Sequence, residues 1–300
     1  MAVNTPLRYP GGKSVMTSFF RDFITSNNMH DVIYAEPYAG GAGAAINLLL
    51  DGIVDRLIIN DASVAIYSFW NSLIAHSQEF LELFDNTPVT VREWYNQKEI
   101  FLIQKNMPSL ELGFATFYLN RCNRSGILNA GPIGGNTIEK QARAKYKIDA
   151  RFNKSMLREK LVNIINRRNY IEVRNDDAMA FLQWVNAQPI EDQFNTLVYL
   201  DPPYYVHGSE LYLNFYNHRD HAELATYLQD MPNVKWVLSY DNVAQIRELY
   251  RDYALYTFDL SYSVQQKKQG KELLVNSRNS ILPDQMEIRR PSKTIPLIHI

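Results

Sequence analysis

One stretch constrains the fold of this chain more than any other: the mostly apolar residues 196–200 run into Asp201-Pro202-Pro203-Tyr204. Apolar and β-branched residues without polar alternation are typical of a strand buried on both faces of a parallel sheet. Two prolines cannot continue a hydrogen-bonded ladder, so the chain must leave the sheet here. Open α/β sheets bind ligands at the carboxyl ends of their strands. The stretch therefore predicts an α/β fold with a functional site at Asp201.

Two other interpretations of this stretch are open. Asp-Pro-Pro is a common turn sequence, and Pro202-Pro203-Tyr204-Tyr205 also fits the proline-rich peptides that WW modules bind. Such a ligand needs an exposed, flexible segment, whereas a hydrophobic strand leads into these prolines. Because two prolines also fix the backbone, they can hold the Asp201 carboxylate, the Pro202 carbonyl and the Tyr204 ring in a rigid array. We interpret the stretch as a reaction centre.

Similar apolar segments recur along the chain and predict one sheet. The predicted strands are 31–36, 56–60, 170–174, 196–200, 235–239, 254–260 and 272–276. Helical periodicity follows the first five, whereas the last two strands face each other across a basic turn at 265–271. We expect an α/β fold with a Rossmann-like seven-stranded sheet.

The alternation of strands and helices stops between residues 78 and 168. Aromatic and leucine side chains recur there at helical spacing, which predicts amphipathic helices. We expect residues 1–77 and 169–282 to form one α/β domain, with 78–168 as an inserted, mostly helical subdomain. The tail, residues 283–300, is too mixed in character to assign.

The insert concentrates positive charge in a chain whose net charge is only −1. Residues 121–168 contain 12 Lys or Arg against 3 acids, a net of +9, so the rest of the chain carries −10. At the centre, residues 120–136 are rich in Asn, Arg and Gly, and Asn and Arg side chains match the edges of nucleic-acid bases. The pattern favours a polyanion-binding face, although an ordinary solvated basic loop has the same composition.

The cysteine count and the apolar pattern limit the class of protein. A single cysteine, Cys122, excludes an internal disulfide and any multi-cysteine zinc site. The first residues lack the features of a signal peptide, and no apolar run reaches membrane-spanning length. We expect a soluble cytoplasmic protein with no metal and no membrane contact.

Two glycine motifs precede the insert: Arg-Tyr-Pro-Gly-Gly-Lys at 8–13, and Glu-Pro-Tyr-Ala-Gly-Gly at 36–41. The first is a poor match to a phosphate-binding P-loop, because that signature requires glycine at Leu7. The second follows a predicted strand and opens a helix, so its backbone can approach a nucleoside-sized ligand. Asp61 ends the next strand about twenty residues later, where such folds bind ribose hydroxyls. Capping of the following helix is the alternative role for this acid.

Taken together, these motifs resemble those of the Dam-like family of S-adenosylmethionine-dependent DNA adenine N(6)-methyltransferases. Residues 8–13 resemble the N-terminal cofactor motif, 36–41 the glycine motif and 201–204 the catalytic motif of that family. Residues 271–275 resemble its closing segment, and the motif order is that of the alpha group. The resemblance spans residues 7–276 and implies the methyltransferase version of the Rossmann-like sheet.

The resemblance also implies roles for individual residues. The implied cofactor-binding residues, for S-adenosylmethionine, are Tyr9, Lys13, Glu36, Pro37, Tyr38, Gly40, Gly41, Asp61, Asp177 and Asp201. The implied catalytic residues are Asp201, Pro202 and Tyr204. Asp177 is chosen over Asp176 because its spacing to Leu182 resembles the family pattern. The basic insert supplies the predicted DNA-binding residues, which are Asn120, Arg121, Asn123, Arg124, Asn129, Lys140, Arg143 and Lys145.

The implied reaction is methyl transfer to an adenine flipped out of double-stranded DNA. Asp201 and the Pro202 carbonyl would accept the amino hydrogens while Tyr204 stacks on the base. We expect a monomer, bacterial or phage-encoded, acting as an orphan enzyme or beside a cognate restriction endonuclease. The loop at 122–129 differs from that of members that read GATC, so no recognition sequence is implied. The alternatives are transfer to cytosine N(4), RNA adenine or protein glutamine, and a catalytically silent nucleic-acid-binding homologue.

Overall fold

The computed structural model describes residues 4–9, 12–104, 106–205, 216–264, 266–283, 287–290 and 293–300. Pro10 and Gly11 of the first glycine motif, and Gln265 of the predicted basic turn, lie outside these ranges. The strands are β1 (Ile33–Glu36), β2 (Arg56–Asn60), β3 (Ile171–Arg174), β4 (Thr196–Leu200), β5 (Lys235–Asp241), β6 (Leu255–Val264), β7 (Gln266–Asn276), β8 (Glu287–Arg290), β9 (Lys293–Pro296) and β10 (Ile298–His299).

Twelve α-helices occur in the described ranges. They are α1 (Thr17–Ser26), α2 (Gly43–Leu50), α3 (Val64–Ala75), α4 (Ser77–Asn86), α5 (Val91–Gln104), α6 (Leu110–Cys122), α7 (Ile138–Arg143), α8 (Lys154–Ile165), α9 (Ala178–Asn186), α10 (Ile190–Asn195), α11 (His218–Gln229) and α12 (Ala244–Leu249). No helix in this part of the chain is long and apolar enough to cross a membrane.

The central sheet has the strand order β10-β6-β7-β5-β4-β1-β2-β3. Strands β3, β2, β1, β4 and β5 are mutually parallel, and β7 runs antiparallel to both β5 and β6. The predicted α/β class is confirmed, and all seven predicted strands are present. The sheet is one strand wider than expected because the tail contributes β10 at the edge, while β8 and β9 form a separate pair.

The position of β1 beside β4 determines where the site lies. From β1 the chain builds the sheet in one direction through β2 and β3, and from β4 it builds in the other direction through β5. The loops that leave β1 and β4 therefore diverge above the carboxyl ends of the strands, which creates the crevice where such sheets bind ligands. Strand β4 is buried along its whole length, as its apolar sequence predicts.

The predicted basic turn at 265–271 is longer than the turn in the structure. Strands β6 and β7 pair without interruption from Leu255↔Val275 to Val264↔Gln266, so the hairpin runs through most of that segment. An antiparallel ladder satisfies the backbone groups of polar residues as well as those of apolar ones. The prediction from side-chain composition therefore ended β6 too early and began β7 too late.

The helices of the insert pack on the same core as the sheet. Phe117 of α6 stacks on Phe69 of α3 with ring centroids 5.8 Å apart, and Phe84 stacks on Phe152 at 5.9 Å. These rings belong to one buried apolar cluster that also includes Leu57 of β2. The insert is mostly helical, as predicted; its boundaries at residues 78 and 168 stay a prediction.

Candidate active site

A single cavity of about 940 Å³ opens at the carboxyl ends of β1, β2 and β4. It brings together nearly all the predicted cofactor-binding residues. Those that line it are Tyr9, Lys13, Glu36, Pro37, Tyr38, Gly41, Asp61, Asp177 and Asp201. Residues that are far apart in sequence meet here because parallel strands end at one edge of the sheet.

The glycine turn after β1 is shaped by the ring of Tyr9. Gly40 has a φ of +46°, and a Cβ at this position would lie 2.8 Å from the Tyr9 ring. Trp70 holds the same turn from below by donating its indole N–H to the Gly40 carbonyl over 2.9 Å. A side chain at Gly40 would displace Tyr9, so the turn requires glycine for both its conformation and its space.

Asp61 holds the backbone between the glycine turn and α3, and its predicted contact with ribose hydroxyls stays a prediction. Its carboxylate accepts hydrogen bonds from the backbone N–H groups of Gly40, over 2.8 Å, and Ser63, over 2.9 Å. It thereby ties the glycine turn to the start of α3, whose first residue is Val64. Burial raises the pKa of Asp61 to about 6, although both N–H groups oppose the shift. The same side chain lines the cavity.

Glu36 lies at the end of β1 and is 5% exposed. Burial raises the pKa of this carboxyl group to about 8. The side chain therefore carries a proton near neutrality in the free protein, and a cationic ligand in the cavity would favour its ionised form.

The geometry favours Asp177 over Asp176 as the residue facing a ligand. Asp177 lines the cavity and caps α9 by accepting from the Met179 N–H over 2.9 Å. Asp176 instead forms an ion pair with Arg174, whose Nε lies 2.7 Å from its carboxylate. The assignment of the cofactor contact to Asp177 stays a prediction.

The Asp201 carboxylate is held by a buried hydrogen-bond network. The Lys13 ammonium lies 2.9 Å from Oδ1 and 3.0 Å from Oδ2, and Ser239 donates to Oδ1 over 3.1 Å. Lys13 is also 3.1 Å from the Tyr204 hydroxyl, which in turn donates to Glu272. Lys13 was predicted to contact the cofactor, which stays a prediction; its ammonium contacts Asp201 and the Tyr204 hydroxyl.

The other residues of the Asp-Pro-Pro-Tyr motif flank this network. Pro202 and Pro203 are buried, and Pro203 lines the cavity. The Tyr204 ring is half-buried, with the Lys13 ammonium 5.4 Å from its centroid.

Sequence reasoning missed the roles of Ser239 and Glu272. Strand β5 supplies Ser239 and β7 supplies Glu272, and both strands lie on the same side of β4. Glu272 is 2% exposed, and burial raises its pKa to about 7 against the opposing charge of Lys13. An acid beside the apolar run 273–275 was the available signal, because a buried strand rarely contains an unpaired carboxylate.

Three predicted DNA-binding residues are buried and form hydrogen bonds that connect segments of the chain. Asn120 accepts from the Arg8 N–H over 2.7 Å and donates to the Arg8 and Gly126 carbonyls. Asn123 donates to the carbonyls of residues 127 and 128 and accepts from Trp94 over 2.7 Å. Both amides are thus engaged inside the protein, and their contact with DNA stays a prediction.

Arg121 is the third of these residues and is 8% exposed. Its guanidinium donates to the backbone carbonyls of Pro6 and Arg151. Burial, together with the charge of Arg8, lowers its pKa to about 10. Arg121 thus links α6 to the segment 4–9 that covers the glycine turn, although part of its side chain lines the cavity.

The remaining predicted DNA-binding residues are exposed. They are Arg124, Asn129, Lys140, Arg143 and Lys145. Asn129 lines the mouth of the cavity together with Arg8, which the sequence analysis did not single out. Four cationic side chains therefore lie on the surface of the insert, where they are accessible to a polyanion.

The fold and the cavity define a class: a Rossmann-like α/β protein with a ligand crevice at its switch point and an Asp-Pro-Pro-Tyr motif beside it. Residues 9–264 match the model of the D12 class N6 adenine-specific DNA methyltransferase family, and the chain belongs to that family. The resemblance drawn from the motifs is thereby confirmed, and the chain is an adenine-N6 methyltransferase by family.

Comparison with other proteins adds little to this assignment. No curated protein matches the chain significantly. Among solved structures, the rRNA methyltransferase aviRa from Streptomyces viridochromogenes is similar, with 9% identity and a TM-score of 0.35. That similarity covers 90% of this chain and 87% of the other.

Proposed function

We propose that this protein transfers the methyl group of S-adenosylmethionine to the exocyclic amine of an adenine that is flipped out of double-stranded DNA. The observation that carries the proposal is the position of Asp201. Its carboxylate lines the same cavity as the glycine turn and Asp61. A nucleophile bound at Asp201 and a nucleoside bound over the glycine turn would therefore be neighbours.

The residues around the glycine turn fit an adenosine-containing methyl donor. A Cβ at Gly40 would meet the Tyr9 ring, so glycine lets this ring pack on the turn and line the cavity beside it. Asp61 supplies a buried acceptor suited to ribose hydroxyls, and Asp177 lies at the cavity rim for an adenine amine. S-adenosylmethionine supplies an electrophilic sulfonium methyl group, whose positive charge suits the neighbouring acids Glu36 and Asp201.

The amine of adenine is a poor nucleophile because its lone pair is delocalised into the ring. Asp201 and the Pro202 carbonyl accept its two hydrogens, which favours a pyramidal nitrogen and stabilises the positive charge that develops on attack. Asp201 need not be a strong base, since the methylated amine loses its proton readily. Tyr204 supports the face of the base, a contact of about 1–3 kcal/mol in single-stranded binding.

The basic surface of the insert supports DNA as the substrate. Extraction of a base from a duplex costs a few kcal/mol. Arg124, Lys140, Arg143 and Lys145 are exposed and offset that cost by binding phosphates. We include in the proposal that the protein acts as a monomer in the bacterial cytoplasm, as an orphan enzyme or beside a cognate restriction endonuclease.

The test uses tritiated S-adenosylmethionine and mixed-sequence duplex DNA. The wild-type protein is expected to label the duplex, and acid hydrolysis should release the label as N(6)-methyladenine. Label that appears as N(4)-methylcytosine, or only with RNA, would replace the proposal with one of those substrates. The absence of label on every nucleic acid, with cofactor binding intact, would indicate a catalytically silent homologue.

A further inference from the structure

The Lys13 ammonium contacts both carboxylate oxygens of Asp201, the residue that accepts from the adenine amine in the proposed function. It lies 2.9 Å and 3.0 Å from the oxygens of Asp201. An adenine amine must donate to the same carboxylate, so the free protein holds its reaction centre capped by a cation. While Lys13 holds both oxygens, its charge offsets the negative charge with which Asp201 is to stabilise the amine, so tight binding of the base favours release of at least one of these contacts.

If the buried Lys13 ammonium leaves Asp201, it needs another partner for its charge. The side chain is 5% exposed, and a buried ammonium needs a counter-ion because desolvation of an unpaired charge costs several kcal/mol. The second carboxylate within reach is Glu272, whose Oε1 lies 3.5 Å from the Lys13 Nζ. A shift of about 0.7 Å shortens this contact to a charge-assisted hydrogen bond.

Glu272 is arranged to receive a further donor. Its Oε1 accepts from the Tyr204 hydroxyl, while its Oε2 is buried and has no hydrogen-bond partner in the described part of the chain. A buried carboxylate oxygen without a partner is costly, so its retention at a reaction centre calls for an explanation. A role in the loaded site supplies one, because a carboxylate with an unused oxygen can accept a second donor such as the Lys13 ammonium.

We propose that Glu272 is a positioning residue that takes over the Lys13 ammonium when the amine of the target base binds Asp201. The inference rests on the proposed function, in which Asp201 accepts the amino hydrogens. No covalent bond changes in this exchange: the ammonium moves between two carboxylates, and the amine takes its place. Through Tyr204, the same exchange is linked to the ring that supports the base.

The amino group itself provides the test. The duplex carries the recognised sequence with either adenine or purine at the target, since purine lacks only the amino group. Affinities for both duplexes are measured with S-adenosylhomocysteine present, so that no methyl transfer occurs. Because any difference in base pairing between the two duplexes is the same for every variant, the ratio of the two dissociation constants can be compared between variants.

Relative to Asp201→Ala, the wild type should favour the adenine duplex, whereas Glu272→Gln should reduce that preference about tenfold and slow single-turnover methyl transfer roughly 10- to 100-fold. Glutamine keeps an oxygen that accepts from the Tyr204 hydroxyl. A reduced preference in this variant therefore reports the lost negative charge and not a lost hydrogen bond. Glu272→Asp keeps the charge and should retain more of the preference for the adenine duplex than Glu272→Gln does. Glu172→Gln, on β3 at the far edge of the sheet, is the matched control and should leave the ratio unchanged.

The outcomes separate this inference from the proposed function. A wild type that discriminates, together with a Glu272→Gln variant that discriminates equally, overturns the role of Glu272 alone. An equal loss in Glu172→Gln also overturns it. A wild type whose ratio equals that of Asp201→Ala contradicts the proposed function, and the inference with it, because the amino group then gains nothing from Asp201.

Discussion

The Lys13 ammonium and the Asp201 carboxylate form a salt bridge of 2.9 Å, although 188 residues separate them in the sequence. The contact joins the first glycine motif to the Asp-Pro-Pro-Tyr motif. A third charged group, the buried Glu272, is 3.5 Å from the same ammonium. In the proposed reaction centre, one cation is therefore shared by two acids.

Asp201→Ala is expected to lower the rate of methyl transfer by a factor of about 10² or more, because the acceptor for the amino hydrogens is lost. The fold should survive, since Glu272 remains as a counter-ion for Lys13; we expect a loss of about 1–3 kcal/mol in the free energy of unfolding. Tritium transfer to duplex DNA and urea denaturation measure the two effects. Full activity in the variant would remove Asp201 from the mechanism.

Gly40→Ala is expected to weaken cofactor binding at least about tenfold, because the new Cβ would meet the Tyr9 ring 2.8 Å away. Gly52→Ala is the matched control: its φ of +66° is equally unfavourable for alanine, yet nothing lies within 4 Å of a Cβ there. Both variants should lose about 1–3 kcal/mol of stability from backbone strain. Calorimetric titration with S-adenosylmethionine should separate them, and equal affinities would contradict the role of the glycine turn.

Glu36 should make stability depend on pH. Its pKa is raised by burial from 4.5 to about 8, so between these values the folded state keeps a proton that the unfolded chain releases. Its contribution to the free energy of unfolding is therefore complete below pH 4.5 and falls as pH rises to about 8, by up to about 1.4 kcal/mol per pH unit. Urea denaturation of wild type and Glu36→Gln at stepwise pH isolates this residue. A pH-independent difference between the two proteins would contradict the raised pKa.

Substitutions in the insert should distinguish residues that bind DNA from residues that stabilise the fold. Arg124→Ala and Lys140→Ala are expected to reduce the salt dependence of DNA binding by about one ion each, with little change in melting temperature. Arg121→Met is expected to cost about 1–3 kcal/mol of stability, because the carbonyls of Pro6 and Arg151 lose their donor. Salt-titrated affinities and melting curves distinguish the two classes. The opposite pattern would place Arg121 at the DNA surface.

Much of the sheet could be predicted from the sequence because its central strands are buried and therefore apolar. Strand β10, with only two residues, and the polar half of the β6–β7 hairpin depend on backbone pairing that side-chain patterns do not report. Strand β10 accounts for the difference between the seven predicted strands and the eight of the central sheet, and the hairpin accounts for strands β6 and β7 being longer than predicted.

The candidate site also contains residues that could be placed from the sequence and residues that could not. Residues that directly follow strands, such as Asp61 and Asp201, could be placed from sequence because parallel strands end at one edge. Glu272 could not, because its role depends on β7 lying beside β5. Asn120 and Asn123 were assigned to DNA because an amide offers the same donors and acceptors to a base and to a backbone carbonyl. Only burial distinguishes the two uses.

The central claim is methyl transfer to adenine N(6) in DNA, and single-molecule sequencing tests it most directly. The protein is expressed in cells without other DNA methylation, and the genome is read for modified bases. The account predicts N(6)-methyladenine within a defined sequence context, and its disappearance in cells expressing Asp201→Ala. Genomes without N(6)-methyladenine, or with equal amounts in the Asp201→Ala strain, would contradict it.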